Sequence, residues 1–244
     1  LPVTAFLNPH RTGCAFPYKW LASCGLSLSV LAAVRAELGQ ALDLRPLLDL
    51  VAIGTIADVA PLDGDNRALV RAGLKVLGEA RRPGVRALLE LAKIEPGQPL
   101  SAEDVAFRLA PRLNAPGRLG APDLAVKLLL AETLEAAQAL AAEIEQRQME
   151  RRTVQEAMLA DALAEVEREG YAERAAVVLG REGWNHGIDG IVAGRLASEL
   201  QKPVVVIGFE NGICRGSVRG PKGARLHDAV SLCAPHLRRF GGHQ

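Results

Sequence analysis

The sequence predicts an α/β protein: a helix-rich first part joined by one long helix to a smaller part in which strands and helices alternate. Three observations predict it. Residues 132–169 contain neither Gly nor Pro, with Thr133 placed to cap their start, Glu135 in the first turn and Gly170 where a helix-ending glycine belongs. At about 1.5 Å per residue such a helix is on the order of 50 Å long, more than a small domain is wide. Residues 175–179 and 203–209 are strand-like apolar runs separated by a helical stretch at 188–200, the pattern of a parallel pair with its crossover helix. Residues 213–220 alternate as a half-exposed strand does. The expected division is therefore residues 1–131, the connecting helix 132–169, and residues 170–244.

Within the long helix, Leu134, Ala137, Leu140, Ala141 and Ile144 form one apolar face, and Val154, Met158, Leu159, Ala162, Leu163 and Val166 form another. Between them, over residues 145–153, only Met149 is apolar. A helix reads this way where it has left one core and not yet entered the next. Arg147 and Arg151 are i,i+4 neighbours of like sign, which costs a little helix stability unless something negative faces them. A solvated face with Glu143 and Glu150 as counter-charges is the other reading.

Length and composition bound the rest. A chain of 244 residues, 49% hydrophobic and 23% charged, can bury two cores and is not a disordered chain. With Lys+Arg 29 against Asp+Glu 28 the net charge is +1, so any case for an anionic partner has to be local. No apolar run is long enough to span a bilayer and no signal segment opens the chain, which points to a cytoplasmic protein with no membrane partner. Cys14, Cys24, Cys214 and Cys233 have no metal-ligand spacing and read as buried or idle thiols of a reducing compartment, ahead of a zinc site or disulfides. The chain opens on Leu1-Pro2 and stops just after Gly-Gly-His, so it reads as a fragment.

In the first part, residues 3–7 suggest a short strand closed by Asn8-Pro9, with His10, Arg11 and Lys19 in the loop that follows. Residues 20–38 suggest a helix ended by Gly39. Asp58 is a lone carboxylate set in the almost wholly apolar run 47–62, just downstream of Gly54 and Thr55. Buried and ionised it would need a cation, a metal or N–H donors; capping the turn that leads to Pro61 is the structural alternative. Asp63-Gly64-Asp65-Asn66 lacks the later ligands of a calcium loop and reads as a turn before a helix at 66–79. A short helix follows at 85–91, and Ser101 with Asp104 makes a capping box for another starting at Ala102. That helix runs into a Pro/Gly-punctuated loop holding Arg108, Arg112, Asn114 and Arg118. Such a loop suits phosphate clamping; an ordinary interdomain loop is the alternative.

In the second part, strand 175–179, the glycine-rich turn Gly183-Trp184-Asn185-His186-Gly187 and the next helix form an arrangement in which helix N–H groups face an anion. It is neither GxGxxG nor a P-loop. Alternation at 213–220 puts Arg215, Ser217 and Arg219 on one face of a strand, a compact anion site or else a solvated face. Residues 226–240 suggest the last helix, ending in Gly241, Gly242 and His243, which would bring backbone and imidazole near a ligand.

Five stretches in this order (Gly54-Thr55-Ile56-Ala57-Asp58-Val59, Arg112-Leu113-Asn114-Ala115-Pro116-Gly117-Arg118, Gly183-Trp184-Asn185-His186-Gly187 running into Gly190-Ile191-Val192-Ala193, Gly216-Ser217-Val218-Arg219, and Gly241-Gly242-His243) closely resemble the DHH phosphoesterase family, in its single-strand-specific 5′→3′ DNA exonuclease branch. The resemblance implies part of a DHH catalytic domain, a long helix and a truncated DHH-associated α/β domain. It also implies single-stranded DNA as substrate, DNA repair and recombination as setting, and two Mn²⁺ or Mg²⁺ ions as cofactors. A single-strand binding protein and a RecQ-type helicase are the partners it implies. Asp58 matches the last metal-binding and catalytic aspartate; Arg112, Asn114, Arg118, Ser217, Arg219, Gly241, Gly242 and His243 match DNA- or phosphate-binding positions. The Asp-His-His signature is absent from the chain, so the fragment is expected to be inactive alone. A phosphodiesterase for short RNA or cyclic dinucleotides, and a non-catalytic replication scaffold, are the competing expectations.

Overall fold

The structure, a computed structural model, describes residues 5–242 except Pro96. The chain divides into two compact units, one running up to Pro116 together with Pro122–Glu145, the other comprising Gly117–Ala121 and the chain from Gln146 onward. The architecture is mixed α and β, and no helix among the described residues is long and apolar enough to cross a membrane.

In the first unit, α1 (Ser23–Glu37) ends at Leu38 and Gly39, the latter at φ +61°. A 3₁₀ turn (Arg45–Leu47) leads into α2 (Leu48–Ala57), and α3 (Gly64–Gly78) packs on it. The approach is close because Gly73 has no side chain: a Cβ there would lie 2.2 Å from the Leu48 carbonyl oxygen. Asn66 is buried in α3 and donates to the carbonyls of Trp20 and Pro61, which fixes the turn after α2. Next come α4 (Pro83–Leu91), opened by its proline, and α5 (Ala102–Asp104), opened by the expected capping box of Ser101 and Asp104. A π-helical turn (Val105–Leu109) connects α5 to α6 (Ala110–Arg118), and α7 (Asp123–Leu129) follows. The core collects Ile53, Ile56, Leu77, Leu88, Val105, Leu109, Leu128 and, from the start of the long helix, Ala137, Ala141 and Ile144.

That long helix is α8 (Leu134–Arg168), capped by Thr133, whose Oγ1 accepts from the Ala136 N–H, and ended by Gly170 at φ +64°. From Met158 onward it contributes Met158, Leu159, Ala162 and Val166 to the core of the second unit. There β1 (Val177–Glu182), α9 (Asp189–Leu200), β2 (Val204–Glu210) and β3 (Ile213–Arg219) make a three-stranded sheet in the order β1-β2-β3. β1 and β2 are parallel, with α9 as the crossover, and β2 and β3 form an antiparallel hairpin. Asn211 and Gly212 both take positive φ in its two-residue turn. Val177, Leu179, Val204 and Val206 are buried together with Ile188, Val192 and Leu196 of the α9 region.

Four expectations need correction. Residues 5–7 are not strand; the rest of that proposed run lies outside the described residues. The arginine-bearing stretch 110–118 is helix, because the widened π turn sits just ahead of Pro111, where a missing N–H and a ring would otherwise disrupt the ladder. The last helix, α10 (Leu226–Leu232), stops well before Phe240, and a 3₁₀ turn with Pro235 inside it takes over. Asp58 is exposed at the C-cap of α2, past the last buried turn, so its carboxylate carries no burial cost.

Candidate functional site

In the first unit the carboxylate that does need a partner is Asp49, 4% exposed in the first turn of α2. Its Oδ2 accepts from Arg82 Nε at 3.0 Å, and Oδ1 from the Leu50 N–H at 2.7 Å. The open groove of 670 Å³ beside it contains Arg45, Arg81 and Arg82, and each already pairs with a carboxylate: Asp43, Glu79 and Asp49. Arg45 holds the Asp43 carboxyl at about 2. That groove has no cation to spare among its lining residues.

Arg112 has its guanidinium on Glu145, Nε to Oε2 at 2.8 Å and Nη2 to Oε1 at 3.3 Å, and Nη1 donates to the Arg108 carbonyl. Arg108 in turn bonds Asp104 and the carbonyls of Ala92 and Lys93. Both arginines therefore brace the α5–α6 turn. Asn114 is exposed on α6, and Asp58 presents its carboxylate to solvent.

The second unit holds a different kind of cluster. Arg118 donates from Nη1 to the Gly187 carbonyl at 2.9 Å. The two segments touch backbone to backbone, since a Cβ on Gly187 would lie 2.1 Å from the Arg118 oxygen. Asn185 shapes the turn by accepting the Gly187 N–H at 2.8 Å. Around the first turn of α9, a Cβ on Gly190 would sit 3.0 Å from Arg219 Nη2 and 3.3 Å from Ser217 Oγ. The period-two spacing thus delivers Ser217 and Arg219 to one place, as the strand pattern requires. Burial, and Arg219 beside it, push the Arg118 guanidinium below its ordinary pKa. Gly241 and Gly242 are exposed, and His243 lies outside the described residues.

Two further features leave little trace in the sequence. His186 Nδ1 stands 3.5 Å from Oδ2 of Asp189, which is 1% exposed at the start of α9, while His186 Nε2 stands 3.5 Å from Glu210 Oε2. Burial pushes the Asp189 carboxyl up, against the pull of His186. On α8, Arg151 is gripped by two amide oxygens, Gln148 Oε1 at 3.1 Å and Gln155 Oε1 at 2.6 Å, and Gln148 is 1% exposed. The like-charged pair with Arg147 is its only signal: Arg147 takes Glu150 at 3.0 Å, and Arg151 is left without a carboxylate among the described residues.

Residues 173–244 match the DHHA1 domain family. The single-stranded-DNA-specific exonuclease RecJ of Bacillus subtilis (strain 168) is 40% identical over 99% of this chain and 30% of its own length. The crystal structure of RecJ in complex with Mn²⁺ from Thermus thermophilus superimposes with a TM-score of 0.83 at 35% identity, covering 94% of this chain and 33% of that one. Its Mg²⁺ complex gives a TM-score of 0.78 at 35% identity over 90% of this chain and 34% of that one. The chain spans about a third of the length of these relatives.

Proposed function

We propose that this chain, similar over nearly its whole length to RecJ proteins and so to the DHH phosphoesterases its motifs resemble, is the phosphate-gripping part of a single-strand-specific 5′→3′ DNA exonuclease. The observation that carries the reading is the gathering of Arg118, Ser217 and Arg219 about the start of α9, with the hydrogen bonds of Arg118 and Arg219 going to carbonyl oxygens and no carboxylate pairing them among the described residues. Guanidinium groups so placed are available to an anion. A 5′-terminal phosphate carries more charge than an internal one, so this site favours a strand end, which is what makes an exonuclease.

Mn²⁺ or Mg²⁺ are the cofactors of this reading, and the exposed carboxylate of Asp58 is the hard oxygen ligand that the chain offers. No three His, Cys, Asp or Glu side chains among the described residues are grouped to hold a metal. One carboxylate does not make a two-metal centre, and the chain alone is expected to release no nucleotides. By the same reading the protein is cytoplasmic and acts in repair and recombination, on strands unwound by a RecQ-type helicase and covered by a single-strand binding protein. Asn114, Gly241, Gly242 and His243 add DNA contacts, and Arg112 acts by bracing α6.

Arg219→Ala tests the site. Losing charge-assisted hydrogen bonds should cost about 1.5–3 kcal/mol, roughly ten- to a hundredfold in affinity. Binding of 5′-phosphorylated and 5′-hydroxyl single strands is compared at fixed salt, because phosphate contacts weaken with salt whatever their role. The loss should be larger on the phosphorylated strand; equal losses would remove end recognition from Arg219.

A further inference from the structure

We propose that Arg151, held on the middle of α8 by Gln148 and Gln155, is a further anion-binding residue of the Arg118–Ser217–Arg219 site, and that it gives the site its selectivity for a phosphate monoester over a phosphodiester. This rests on the proposed phosphate site and extends it by one residue and one specificity. The first ground is how Arg151 is held. Two amide oxygens take Nε and Nη1, which fixes the plane of the guanidinium while leaving its charge uncompensated. A surface arginine needing only solvation does not require an amide buried to 1% beneath it.

The second ground is place. Leu119, next to Arg118, and Val154, one turn along α8 from Arg151, pack against one core with Ile188, next to Gly187. The pKa values agree: burial, then Arg118, then Arg152 depress Arg151, as burial and then Arg219 depress Arg118. Two guanidinium groups drawn partly out of water that repel one another, with a third at Arg219 beside Arg118, are an arrangement the fold would shed unless an anion repaid it. A monoester dianion, with three free oxygens, answers three such donors better than a diester with two.

The test uses the 244-residue chain with Arg151→Gln, whose amide can still meet Gln148, beside Arg151→Lys and Arg219→Ala. Affinity is measured for the same oligothymidine with a 5′-phosphate and with a 5′-hydroxyl, together with the rise in melting temperature on adding inorganic phosphate at constant ionic strength. Arg151→Gln should lose about tenfold or more on the phosphorylated strand and about threefold or less on the hydroxyl strand. It should melt no lower than the parent without phosphate, since a repulsion is relieved, and should gain less from phosphate. Arg151→Lys keeps the charge without the fixed plane and should fall between the two in selectivity; parental selectivity in the lysine variant overturns the discrimination argued here. Equal loss on both strands, or a lower melting temperature with the full phosphate response, overturns the role of Arg151. If Arg219→Ala weakens the phosphorylated strand and Arg151→Gln does not, this inference alone falls; if Arg219→Ala has no effect, the phosphate site itself is wrong.

Discussion

Asp49 and Asp58 stand at opposite ends of α2, and the fold treats them in opposite ways. Apolar neighbours on both sides make either look buried in the sequence, because adjacency along the chain says nothing about which helix face or turn meets solvent. The helix period decides it: Asp49 falls on the face covered by α3 and Arg82, and Asp58 falls beyond the last turn. Asp58→Ala should therefore shift stability by less than about 0.5 kcal/mol, while Asp49→Ala, which strands Arg82, should cost several times that. Urea midpoints measure both. In a chain extended to the length of its relatives and supplied with Mn²⁺, Asp58→Ala should abolish nucleotide release. Normal release would make Asp58 a helix-terminal residue only.

At the scale of elements, regular patterns are legible in the sequence and compensated irregularities are not. Strand alternation puts Ser217 and Arg219 on one face, and the uninterrupted run before Gly170 marks α8. The passage through Pro111 and Pro116 reads as loop yet folds as helix, because a π turn and the braces from Arg108 and Arg112 leave no local signature. The start of α9 is also opaque. An aspartate in a first helical turn ordinarily gains from the helix dipole, yet at Asp189 burial is the larger effect and raises the carboxyl above its ordinary 3.8. The folded state thus holds a proton that the unfolded state has released, and stability falls as pH climbs from about 3.8 through the raised value and stays lower above it. Asp189→Asn keeps the shape and removes the charge. Its melting temperature should exceed the parent's near neutral pH, and the gap should close toward about pH 4 as the parent's carboxyl protonates. A gap that widens in acid would mean that the pair with His186 outweighs burial.

Across the whole molecule, two separate cores are fed by one helix, Ile144 being the last buried core residue it gives to the first and Met158 the first it gives to the second. Each unit also carries one of the two tryptophans, the exposed Trp20 and the buried Trp184. If the phosphate site lies wholly in the second unit, an anion bound there stabilises that unit by RT ln(1 + [L]/Kd), about 2.7 kcal/mol at a hundredfold excess over Kd, and does nothing directly for the other. Trp20→Phe leaves Trp184 as the sole reporter, and Trp184→Phe leaves Trp20. In urea titrations with phosphate against chloride at equal ionic strength, the transition seen by Trp184 should move to higher urea and the one seen by Trp20 should stay. Movement of the Trp20 transition alone would put the anion in the first unit. Equal movement of both would mean that α8, continuous through residues 145–153 despite the scarcity of apolar side chains there, welds the two cores into one cooperative body.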